Sequence, residues 1–97
     1  MEFCKLFDLK DDGNNMQVLV TYDVSKDKTG FNINQHIEQS GSRFLLGVGP
    51  ISREEADNLF DNYTQQDAEY IYISLKEYLK DPSEHNPIHK FYGKEKV

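Results

Sequence analysis

Apolar and polar positions alternate with a period of two through the first half of the chain and recur at three- and four-residue intervals through the second. Phe3, Lys5, Phe7 and Leu9 alternate with Cys4, Leu6 and Asp8, which predicts a strand with one mostly apolar face. The run stops at Asp11-Asp12-Gly13-Asn14-Asn15, where Gly and Asn tolerate positive φ and short polar side chains bond back to the backbone, so a hairpin turn is expected. Met16, Val18, Val20, Tyr22 and Val24 then form the clearest alternating stretch. Leu6 and Leu19 fall on the opposite, nominally outer face of this hairpin.

After the polar turn Ser25 to Gly30, Phe31, Ile33, Gln35 and Ile37 alternate with Asn32, Asn34, His36 and Glu38. This predicts a third strand. Residues 33–39 also carry a helical alternative: Asn32 and Gln35 have capping-box spacing, Ile33 and Ile37 are four apart, and Gly41 could follow a helix end. Phe44, Leu46 and Val48 form a fourth alternating run, ended by Gly49-Pro50.

Ser52 with Glu55 three residues on, preceded by Ile51, is a capping box. It starts a helix at Arg53 whose core-facing stripe is Ala56, Leu59, Phe60 and Tyr63. Thr64 with Asp67 makes a weaker box for a second helix, and Ala68, Ile71, Tyr72, Leu75 and Leu79 make its stripe, ending at Asp81-Pro82. Strand patterns followed by helix patterns predict an α+β domain, a three- to four-stranded antiparallel sheet followed by two C-terminal helices packed on one face. The expected core is Phe7, Val18, Val20, Phe44, Leu46, Leu59, Phe60, Ile71, Tyr72 and Leu75. The expected organisation is one compact domain over residues 1–81 and a polar C-terminal tail over 82–97, with Ile88, Phe91, Tyr92 and Val97 as its main apolar anchors.

Length and composition fit that picture. At 97 residues and 37% hydrophobic content, with six Phe and six Tyr, the chain supports one core in which aromatics supply much of the packing area. No run is apolar enough to cross a bilayer, no leader pattern opens the chain, and the single Cys4 has no partner for an internal disulfide. A cytoplasmic location is the corresponding expectation.

The net charge of −6 is unevenly spread. Glu54, Glu55, Asp57, Asp61, Asp67 and Glu69 fall in one window without a Lys or Arg, and outside it acids and bases are equal in number. Such an acidic patch opposes direct nucleic-acid binding, which needs cations to replace phosphate counterions, and suits a basic partner.

Catalytic and metal chemistry finds no foothold in the pattern. With Gly13 or Gly30 at the sixth position of a calcium loop, the twelfth position is Leu19 or His36, not the required bidentate Glu. His85 and His89 have zinc-ligand spacing beside Glu84, yet Pro87 opposes the helix that would make the spacing useful. Gly47-Val48-Gly49-Pro50 is the nearest approach to a phosphate loop, and its proline lacks the needed N–H. No nucleophile and base pair can be assembled, so no enzyme activity, cofactor or metal is expected.

On a helical wheel, the second helix's core stripe leaves Tyr70, Ile73 and Glu77 on the far side. The expected partner-binding surface is therefore Glu54, Asp57, Asp61, Glu69, Tyr70, Ile73 and Glu77. It defines a small acidic protein-binding module, an adaptor or inhibitor of a basic protein, with nucleic-acid-binding proteins among the candidate partners. The alternatives are an assembly subunit that forms a homo-oligomer through the Tyr70 face, and a C-terminal tail that covers Tyr70 and Ile73 through Ile88, Phe91 or Tyr92.

Overall fold

In the computed structural model, which describes residues 3–39 and 41–80, every alternating run is a strand and both capping boxes start helices. The order is β1 (Cys4–Asp11), β2 (Asn14–Val24), β3 (Phe31–Gln39), β4 (Ser42–Ile51), α1 (Arg53–Asp61) and α2 (Gln65–Lys80). The strands form one antiparallel meander in the order β1-β2-β3-β4, and both helices lie on one face of it. The expected tail at 82–97, with His85 and His89, lies outside the described residues.

Local chemistry sets the register. Asp12 and Gly13 both take positive φ, 55° and 84°, the conformation that lets a two-residue turn follow the twist of its strands. Asp11 therefore pairs with Asn14 and Phe7 with Val18. The β2–β3 turn is organised by Ser25, whose hydroxyl accepts from the backbone N–H groups of Thr29 and Gly30 and donates to Asp27. Hydrogen bonds from Thr29 and Ser25 hold the Asp27 carboxyl below its ordinary pKa. Between Phe31 and Ile33 the β3–β4 register shifts, so Asn32 sits at a bulge.

Residues 31–39 are a strand, and the reason is their place in the sheet. β3 is interior, and Ile33, Gln35 and Ile37 all point into the core. A spacing of four puts Ile33 and Ile37 on one face in a strand as well as in a helix, so that pair alone could not discriminate. Gln35, at the intervening strand position, and Phe31, two residues before Ile33, decide it.

The core joins Leu9, Val18, Val20, Tyr22, Ile33, Ile37 and Val48 of the sheet to Ala56, Phe60, Ala68, Ile71, Tyr72 and Leu75 of the helices, with Tyr63 from the turn between them. Phe7, Phe44 and Leu46 are partly buried at its margin. Leu59 and Leu79 depart from expectation, being 36% and 39% exposed. α1 has only nine residues and ends before Tyr63. Within it Ala56 and Phe60, four apart, face the sheet, whereas Leu59, about 100° round the helix from Phe60, lies on the flank of that narrow stripe, and Tyr63 enters the core from the turn. Its hydroxyl donates to Gln35 Oε1, while Gln35 Nε2 donates to the Leu46 carbonyl at 3.3 Å. The fully buried amide is thereby satisfied at both ends.

Candidate protein-binding surface

The acidic window lies on α1, the following turn and the start of α2, and its six carboxylates have different roles. Glu55 closes the first capping box: Ser52 accepts from the Glu55 N–H at 3.1 Å, and Glu55 accepts from the Ser52 N–H at 3.4 Å. Asp67 closes the second, accepting from the Thr64 N–H at 2.8 Å while Thr64 accepts from the Asp67 N–H. Both also place negative charge at the positive end of a helix dipole.

Asp57 is half-buried and turned toward the sheet, accepting from the Tyr22 hydroxyl at 2.6 Å. Burial, followed by the Asp57 carboxylate, raises the Tyr22 pKa. Asp57 thus ties α1 to β2. Glu54, Asp61 and Glu69 are exposed, Glu69 receiving a 3.4 Å hydrogen bond from Gln65.

The far side of α2 is presented as the wheel implied. Ile73 is 58% and Tyr70 43% exposed, and Glu77 is exposed one turn beyond Ile73. Leu59 and Leu79 add apolar area on the same helical layer. Cations near this layer are partly engaged: Lys76 pairs with Asp11 at 2.8 Å, and Arg53 lies 6.0 Å from the Phe31 ring centroid. Of the seven proposed contact residues, the structure leaves Glu54, Asp61, Glu69, Tyr70, Ile73 and Glu77 exposed, and assigns Asp57 to the fold.

Two arrangements here were missed by sequence reasoning. Lys5, on the inward-facing side of β1, extends to the end of α1, donating to the Phe60 carbonyl at 2.5 Å with its ammonium 4.8 Å from the Phe60 ring centroid. Since α1 has no basic residue in its last turn, Lys5 supplies the missing C-terminal cation. Its signal was a lone Lys on an apolar face. The second is a polar cluster on the outer sheet face, where Thr21 donates to Asp23 at 2.8 Å and lies 3.0 Å from His36 Nε2, and Asn34 donates to Asp23 at 2.7 Å.

Among the described residues no group of three or more His, Cys, Asp or Glu side chains is placed to hold a metal ion, and no helix is long and apolar enough to cross a membrane. No protein-family model, curated protein or solved structure matches this chain.

Proposed function

We propose that this protein is a binding module, an adaptor or inhibitor, that holds a positively charged protein on its helical layer. The observation that carries the reading is the adjacency along the chain of exposed carboxylates Glu54, Asp61 and Glu69 to the exposed Ile73 and Tyr70, with no Lys or Arg between Glu54 and Glu69. Carboxylates of this kind raise the encounter rate with a basic surface, and a branched aliphatic beside a tyrosine supplies area to desolvate once contact is made. Among the described residues, Ile73 and Tyr70 lie outside the core cluster on a helix surface otherwise rich in charge.

The test uses the purified partner captured by the immobilised chain from its native source. Its affinity should fall steeply between about 50 and 300 mM salt, a range over which the screening length shrinks severalfold. It should also fall with the triple variant E54K/D61K/E69K. Equal binding by that variant and by wild type at both salt concentrations would overturn the reading. Competition by added polynucleotide would identify the partner as a nucleic-acid-binding protein whose groove is covered.

A further inference from the structure

The sheet face opposite the helices carries a row that crosses all four strands. Leu6 pairs with Leu19, Leu19 with His36, and His36 with Leu45. Leu6 and Leu45, at its two ends, are each 55% exposed. One pair further along the strands, Asp8 stands opposite Gln17 and Glu38 opposite Arg43, so an acid lies at the β1 edge and a cation at the β4 edge. All four of these side chains are exposed.

We propose that this face packs against the same face of a second copy, the two related by a two-fold axis that runs parallel to the strands between the sheets. Rotation about such an axis exchanges β1 with β4 and β2 with β3, and leaves each residue's position along the strands unchanged. Leu6 of one copy then meets Leu45 of the other, Leu19 meets His36, and Asp8 meets Arg43. Each contact occurs twice by symmetry.

Charge selects this arrangement over the other face-to-face two-fold. An axis running across the strands would stack Leu6 on Leu6 and Leu45 on Leu45, but would set Arg43 over Gly47 and Asp8 over Cys4, with no opposite charges in register. Four strands at about 4.8 Å spacing and eight residues at about 3.4 Å each give a face of roughly 500 Å². Two such faces bury about 1,000 Å², the lower limit for a specific interface, so the dimer is a weak one of micromolar affinity or less. Both helical layers remain on the outside. The inference does not rest on the binding proposed above; where both hold, the dimer presents two helical faces pointing apart, and avidity for a repetitive basic partner follows.

Sedimentation velocity from roughly 5 to 500 µM, a span matched to a weak interface, tests the dimer with wild type, D8R, R43D, the double variant D8R/R43D and L45D. Circular dichroism melts of each variant confirm folding. Wild type should dimerise within this range, and L45D should remain a monomer. Each single charge reversal should weaken association by about tenfold, and the double variant should return to within about threefold of wild type, because each new Arg again faces a new Asp. A wild-type monomer at every concentration would overturn the proposal, as would a dimer indifferent to L45D. A folded double variant that associates no better than the single reversals would overturn the β1-on-β4 arrangement.

Discussion

The Tyr72 hydroxyl donates a hydrogen bond to Asp11 at 3.0 Å, joining the second helix to the tip of the first hairpin across 61 positions of chain. Lys76 completes the contact with 2.8 Å bonds to both Asp11 oxygens. Hydrogen bonds from Lys76 and then from Tyr72 lower the Asp11 pKa, while burial and then the Asp11 carboxylate push the Tyr72 pKa up to about 12.

This pair contributes to the pH dependence of stability on the alkaline side. A tyrosine whose pKa rises on folding from 10.0 to about 12 stabilises the folded state fully below pH 10, and that contribution is lost as pH rises through about 12. Denaturant midpoints should fall across this interval. Tyr72→Phe should show a smaller fall, with a remainder from Tyr22, whose pKa is shifted in the same direction. An unchanged alkaline slope in the variant would remove Tyr72 from the account.

The contrast between Leu75 and Leu59 tests the packing. Leu75 is 1% exposed and Leu59 36% exposed. Leu75→Ala should cost about 2–5 kcal/mol through lost transfer energy and a cavity, whereas Leu59→Ala should cost about 1 kcal/mol or less. Urea melts of the two variants decide it, and equal losses would place Leu59 inside the core.

Strand and helix order were legible because alternation and capping boxes are local signals. Both capping boxes form as their spacing implied, and the outward position of Ile73 followed from the wheel alone. The Leu59 error arose because periodicity does not show how wide the buried stripe is, and α1 buries only Ala56 and Phe60. Contacts between residues far apart in sequence left no such trace. Nothing near Asp57 in the chain shows that Tyr22, 35 positions away, donates to it. Nothing near Lys5 shows that it caps a helix 55 positions later. The acidic window therefore looked uniform in sequence although half of its carboxylates are engaged in capping or in tying helix to sheet.

The buried amide of Gln35 gives a coupling prediction. Tyr63→Phe removes the hydroxyl that donates to Gln35 Oε1 and leaves a buried acceptor unsatisfied, at a cost of about 1–3 kcal/mol. Gln35→Leu should also destabilise the domain, since it withdraws the acceptor from Tyr63. The double variant should lose less than the two single losses added together. Additivity within about 0.5 kcal/mol in a double-mutant cycle would show that the two side chains do not depend on each other.

Asp57 and Asp61 separate the structural carboxylates from those available to a partner. Asp57→Ala strands the Tyr22 hydroxyl, which lies on a 7% exposed residue, and should cost about 1.5–3 kcal/mol, the range for hydrogen bonds to charged groups. Asp61→Lys, on an exposed residue, should leave stability within about 0.5 kcal/mol of wild type. Binding should rank the helical residues by a different rule. Asp61→Lys should slow association with the captured partner and flatten its salt dependence, because an exposed charge acts mainly by steering. Ile73→Ala should leave association nearly unchanged and hasten dissociation, with about 1–3 kcal/mol lost if the side chain is enclosed by the partner. Surface plasmon resonance at two salt concentrations, beside urea melts of the same variants, measures both quantities. If Asp61→Lys and Ile73→Ala are silent in binding while Asp57→Ala still destabilises, the helical layer serves the fold alone and the partner must engage another face.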